Sequence, residues 1–257
     1  NILETPMISG DYHIHSRYSG LCHGKNTLSE LRDAATRKGL KEIGIADHGL
    51  KHLFFGTDAK RLLKARREAD ALNAEQGARV LLGLEANLIS EDGLIDCGDL
   101  STLDFVAMGY HKLVAAPSAE QARRFTLPAL FRSESKKDAF TRAYIKAIKR
   151  YPLSFVTHPG RDICLNVLEI AKAMSDYGVL FELNGKRVDV SDGELCDVVA
   201  KTEVKFIVNS DAHRAEKVGE VSVPLETAER VGLPLERIVN LDKPAILRKP
   251  FEEETKE

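Results

Sequence analysis

Two histidines one residue apart, His13 and His15, follow Ile8-Ser9-Gly10 near the start of the chain. Alternate side chains of an extended strand point to one side, so the two imidazoles are presented together. Such a pair at a strand end suits a divalent transition metal better than it suits a dry core. An isolated H-x-H is equally compatible with an ordinary hydrogen-bonded pair, and the rest of the chain decides between the two.

The pattern recurs. The apolar run ending at Ala46 delivers Asp47 and His48, Val80 to Leu84 delivers Glu85, and Phe105 to Gly109 delivers His111. Ser154 to Val156 leads into His158, Val179 to Leu183 ends at Asn184, and Lys205 to Val208 delivers Asp211 and His213. A carboxylate placed like Glu85 needs a partner, because desolvating it alone is expensive. Six of the seven strand ends therefore carry His, Asp or Glu, and His23 lies in the loop after the first strand, within reach of the same mouth. Seven imidazoles and two carboxylates exceed the three or four side chains that one catalytic zinc takes from protein. They suffice for two or three metals, with Glu85 placed to bridge a pair.

The elements that must position these groups are legible as well. Thr27 and Glu30 form a capping box, and a helix then runs to Gly39. Further helices are expected at residues 58–76, 139–150, 166–177 (stopped by Gly178), 195–201, 225–231 and 244–247. Strands that alternate with helices argue for a parallel sheet, and continuously apolar strands say that both faces are covered. The expected architecture is α/β, a seven-stranded (β/α)7 TIM-like barrel with function at the carboxyl ends of its strands. One domain spans 1–257, with a core at about 9–247 and a flexible tail at 248–257. A segment at 112–138 is long for a loop between barrel elements, and is either a lid or a solvated helical insertion.

Length 257, 43% hydrophobic residues and a formal charge of −2 are ordinary for a globular protein and give no support to an extended nucleic-acid track. No run reaches membrane-spanning length, and no signal peptide is visible. Cys22, Cys97, Cys164 and Cys196 lack C-x-x-C spacing, which suggests reduced thiols and a cytoplasmic setting. Cys22 beside His23 is read as a bystander, and His52 as a loop histidine without a metal.

The ordered set H-I-H (13–15), A-D-H-G (46–49), G-L-E-A-N (83–87), G-Y-H (109–111), T-H-P-G (157–160) and N-S-D-A-H (209–213) resembles the PHP (polymerase and histidinol phosphatase) family of metal-dependent phosphoesterases. D-G-L-I-D at 92–96 is similar to the stretch after the bridging glutamate in its small stand-alone phosphatases. The resemblance implies a distorted barrel around a trinuclear site, with zinc favoured over manganese or iron. By motif, one ion would take His13, His15, Glu85 and Asp211. A second would share Glu85 and add His111 and His158, and the third would be held by His23, His48 and His213. Glu85, Asp211 and His213 are the residues expected to serve catalysis directly. The expected chemistry is attack on phosphorus by a hydroxide bridging the metals. Asp47 is a candidate orienter of its neighbouring histidine. Arg161, with Arg123 and Arg124 of the 112–138 segment, are candidates for gripping phosphate.

The leading expectation is hydrolysis of a small-molecule phosphate monoester, such as a nucleotide or histidinol phosphate. Trimming of short oligonucleotides is the near alternative. An amidohydrolase-type barrel, or a non-catalytic polymerase-associated module, are alternatives of another class. The sequence does not fix the oligomeric state.

Overall fold

The computed structural model describes residues 8–250. Seven parallel strands follow one another around a nearly closed barrel: β1 (Gly10–Ile14), β2 (Glu42–His48), β3 (Arg79–Asn87), β4 (Phe105–Gly109), β5 (Phe155–Val156), β6 (Leu180–Asn184) and β7 (Phe206–Asn209). Helices occupy Leu28–Arg37, Ala59–Asn73, Lys137–Arg150, Val167–Tyr177, Asp192–Lys201 and Ser222–Arg230. The capping box at Thr27 and Glu30 is formed, and Gly178 ends its helix in the left-handed conformation (φ 66°) that glycine adopts without penalty. A second capping box, Ser191 with Glu194, starts the helix between β6 and β7 three residues before the expected Leu195. Among the described residues no helix is long and apolar enough to cross a membrane. The four cysteines are free.

One local expectation changes, and two connections gain definition. Residues 244–247 form no helix: Ala245 and Leu247 pack at the barrel floor, where the Ala245 N–H donates to the Tyr12 hydroxyl, while Ile246 stays in solvent. The connection from β3 to β4 holds no helix either, and a bridge between Leu88 and Ile95 folds it into a tight loop. The 112–138 segment contains short helical turns, anchored by the buried Phe125 and Ala129, with Phe125 edge-on to Tyr110 and Phe140.

Strand parity divides the core. Ile43, Ile45, Leu82, Leu84, Val106, Met108, Leu183 and Val208 face outward and pack with the helices. Tyr12, Ala46, Leu81, Phe105, Ala107, Phe155, Leu180 and Ile207 face inward and fill the lower lumen. β1 departs from strict alternation, because Asp11 pairs with Ile43 and Ile14 with Ile45, leaving one extra residue in β1. Such a bulge re-aims side chains. Here Tyr12 joins the apolar lumen and the adjacent His13 reaches the polar layer above it.

β1 and β7 close the barrel mostly through side chains. Asp11 accepts hydrogen bonds from the Ser210 N–H and hydroxyl and from the Gly219 N–H. Asn209 accepts from the Tyr12 N–H at 2.9 Å, and the Asn240 amide donates to both Gly10 O and Val208 O.

Candidate metal centre

At the carboxyl ends of the strands the inward register changes from apolar to ligating side chains. On β3 the sequence Leu81, Gly83, Glu85 climbs one face, and on β6 Leu180 is followed by Glu182 and Asn184. Four overlapping triads bring ligand atoms within 4.8 Å of one another: His13-His15-Asp211, His13-Glu85-His158, His48-Glu85-His111 and His15-His48-His213. Glu85, fully buried, is the hub: its Oε1 lies 2.9 Å from His158 Nε2 and 3.3 Å from His13 Nε2. Its Oε2 lies 3.0 Å from His48 Nδ1.

The triads overlap across the motif-based ligand groups. His111 and His158 both approach Glu85 Oε1, at 3.4 and 2.9 Å, and His48 neighbours His111 and His15 as well as His23. His23 belongs to no triad, yet its Nε2 is 2.7 Å from His213 Nε2. Its ring stacks on Phe55 at 3.9 Å between centroids. The loop carrying it passes so close to His15 that a side chain at Gly24 would lie 2.4 Å from the His15 backbone.

Three further groups orient the ligands. Glu182, buried within β6, accepts from His13 Nδ1 at 2.8 Å, the His158 N–H at 2.8 Å and the amides of Asn184 and Asn209. With Nδ1–H donated, His13 turns its Nε2 lone pair to the cluster. Likewise His111 Nδ1 donates to Asn87 Oδ1 at 2.7 Å, and Asn87 is held by Asp96, the last residue of the D-G-L-I-D run. Asp47 does not touch an imidazole. It accepts from the Ser16 N–H (2.7 Å), the Ser16 hydroxyl (2.6 Å) and the Ser19 hydroxyl, and so pins the turn between His15 and His23. Parity explains this correction: Asp47 and His48 are adjacent on β2 and point to opposite faces. Glu182 was absent from the sequence-based set, although a carboxylate inside an apolar strand, in register with Asn184, is the signal that finds it.

Electrostatics prepare the layer for cations. Burial, reinforced by neighbouring imidazoles, holds His15 well below its ordinary pKa. Burial does the same to His111, against the pull of Glu85. Burial also brings His23 down to about 3, and His52 and His213 to about 4. Glu85 and Asp211 go the other way: burial opposes ionisation, but the histidines around them prevail and hold both well below the usual carboxylate range. His13 alone is raised, burial being outweighed by Glu182, Glu85 and Asp211. Neutral imidazoles beside ionised carboxylates are what a divalent cation requires. His13 Nε2, both nitrogens of His15, His48 Nδ1, His158 Nδ1 and Glu85 Oε2 are buried without a hydrogen-bond partner. So many orphaned lone pairs at one point fit metal ions and have no other structural account. His158 (φ 27°) and Asp211 (φ 54°) are also held in left-handed backbone conformations, strain of the kind that concentrates at functional sites.

Above the cluster lies a cleft of about 280 Å³ whose basic groups are Lys112, Arg161 and Lys186. Arg161 is already committed to Asp189 (2.7 Å), Asp211 (3.0 Å) and Asn184 (3.1 Å). Lys186 Nζ is 3.1 Å from Asp211 Oδ1 and 3.0 Å from His213 Nδ1. Arg123 and Arg124 do not line the cleft. Both are exposed, and Arg124 pairs outward with Glu91 and Glu120, because burial of Phe125 turns its neighbours to solvent.

The model of the PHP domain family matches residues 11–186. A probable phosphatase of Shewanella frigidimarina is 30% identical over 244 residues, covering 91% of this chain and 90% of the relative. A probable phosphatase of Thermoanaerobacter sp. is 29% identical over 247 residues, covering 90% of each. Among solved structures, histidinol phosphate phosphatase from Lactococcus lactis, complexed with zinc, L-histidinol and phosphate, is similar in fold. It has a TM-score of 0.56 at 15% identity, over 87% of this chain and 92% of that one.

Proposed function

Since the chain belongs to the PHP domain family and is a phosphatase-type hydrolase, we propose that it removes phosphate from a small-molecule monoester with the help of three divalent metal ions. The observation that carries this reading is the convergence of His13, His15, His48, His111, His158 and His213 on Glu85 and Asp211, with ring nitrogens of His13, His15, His48 and His158 buried and unpartnered. His23 completes the set from above through His213.

Bound divalent ions would supply water activation near neutral pH and charge neutralisation at the phosphate oxygens. The protein's own part is to hold their ligands. Glu182 fixes His13 and the backbone of His158, Asn87 fixes His111, and Arg161 with Lys186 holds the Asp211 carboxylate. Lys186, exposed at the rim, also offers an ammonium to the dianionic ester, and Arg161 offers what its partners Asp189, Asp211, Asn184 and Arg187 O leave free. A cleft of about 280 Å³ with three cations suits a compact monoester rather than an extended oligonucleotide. Zinc is the favoured ion, since imidazole with carboxylate suits it and a zinc-bound protein shares the fold.

The test is phosphate release by protein loaded with zinc, manganese or iron, across histidinol phosphate, mononucleotides, nucleoside bisphosphates and short oligonucleotides. Release from monoesters ahead of oligonucleotides is expected. No release from any of them, with any metal, would overturn the reading.

A further inference from the structure

The cleft over the metal centre has two unlike sides. After β5 and β6 its wall is cationic, with Arg161 and Lys186. After β2 and β4 it carries His52, Phe55 and Leu113, none of which belongs to a ligand triad, and a single cation, Lys112, that is paired with Asp162 at 3.6 Å.

Leu113 has a φ of 64° and a side chain that remains 47% exposed. The left-handed conformation is strained for a residue with a Cβ, and burial does not offset the strain here. The segment that imposes this conformation is tied down. The Leu53 N–H donates to Leu113 O at 3.0 Å, the Ala115 N–H donates to Lys51 O at 2.9 Å, and His52 bridges Val114. His52 is equally constrained: its Nδ1 accepts the N–H groups of Phe54 and Phe55 at 3.4 and 3.2 Å. The neutral ring must then carry its proton on Nε2, which has no partner among the described residues. A strained, exposed apolar side chain therefore lines the same cleft as a fixed imidazole whose remaining N–H is unpaired among the described residues.

We propose that Leu113 and His52 are specificity determinants that dock the leaving group of the substrate and select a planar, apolar-faced ring with a hydrogen-bond acceptor on its edge. The inference rests on the phosphatase reading of the metal centre. With the phosphoryl group drawn to the ligand cluster and the cations after β5 and β6, the organic part of the ester has the β2 and β4 wall left to it. A flat ring can lie against Leu113 while its edge meets His52 Nε2–H. A polyol can use the donor but gains little from the leucine.

Two variants isolate the wall. Leu113→Gly removes the side chain and tolerates the left-handed backbone, so the fold is retained. His52→Asn keeps an acceptor for the two backbone N–H groups and removes the Nε2 donor. In metal-replete enzyme, kcat/KM is measured for adenosine monophosphate and for glycerol phosphate. Each variant should lower the ratio of the first to the second, Leu113→Gly by about tenfold and chiefly through KM. Calorimetric binding of free adenosine should weaken in parallel. An unchanged ratio together with unchanged adenosine binding overturns the proposal. Adenosine binding that depends on Leu113, in an enzyme that releases phosphate from neither ester nor from any other substrate of the screen above, would preserve the docking wall and sink the phosphatase reading instead.

Discussion

The lower and upper halves of the barrel lumen are built by the same strands in the same inward register, yet they are filled by opposite means. Below, Phe105 and Phe155 stack at 5.9 Å between centroids, and the Phe105 ring lies over Gly44 and Gly83, where a Cβ would come within 2.8 and 2.3 Å of it. Above, the same parity on β3 and β6 presents Glu85 and Glu182, each at most 1% exposed, among histidines. Packing of the first kind stabilises the fold by removing apolar area from water. The second kind costs desolvation, which only mutual pairing and bound cations offset. Stability should therefore reside mainly in the floor of the lumen, and turnover in the layer above it.

The sharpest break of that division is Glu85→Gln, which removes the hub charge. Turnover should fall at least about a thousandfold, beyond the 10–100-fold typical of losing a group behind a ligand, while the circular dichroism spectrum is retained. Loss of fold instead would place the hub among the stabilising elements. Conversely, Phe105→Ala should cost about 3–5 kcal/mol of stability, read by denaturant unfolding, and leave the metal content of the folded fraction intact.

Glu182→Gln tests the boundary between the halves. Metal affinity should drop about 10–100-fold, measured by competition with a chelator, because His13 loses its ionised orienting partner. Unaltered affinity would make Glu182 merely a satisfied core carboxylate.

Acid should act on the upper layer first. His52 and His213 titrate at about 4 and His23 at about 3 when folded, against 6.5 ordinarily. From pH 6.5 down to about 4 the unfolded chain binds more protons, so metal-free protein loses stability as the pH falls through that window. His13, raised by its carboxylate neighbours, acts in the opposite sense above pH 6.5, where its stabilisation is lost as the pH rises through its folded value. Thermal midpoints of metal-free protein between pH 4 and 8 should peak near 6.5, and a flat profile would contradict this. The smallest effect is expected from replacing Arg123 and Arg124 together with Ala: KM should stay within about twofold, as for surface changes generally. A large rise would bring the 112–138 segment over the cleft.

Much of this was legible in the sequence because the strands are apolar and parallel, so each run is interrupted where the lumen turns polar. His48, Glu85, His111, His158 and Asp211 announce themselves at those interruptions. Glu182 did not, since it lies one residue inside the run it belongs to, and its partner His13 is 169 positions away. The bulge in β1 was likewise invisible: nothing local to Tyr12 and His13 says that β2 will pair with one residue fewer. Arg123 and Arg124 misled because charge alone does not reveal that Phe125 anchors the segment and turns them away.

Because β1 and β7 meet through Asp11, Asn209 and Asn240, the ligand set is split between segments of the chain far apart in sequence and therefore in time of synthesis. At ordinary rates of synthesis, roughly 10–40 s separate the emergence of His13 from that of Asp211. During that interval Asp211 and His213 cannot contribute, and a histidine not yet held in the barrel prefers metals as free imidazole does. Discrimination by shape can begin only when the last strand arrives. Which ion the finished enzyme holds thus depends on whether early occupants can still exchange after the barrel has closed.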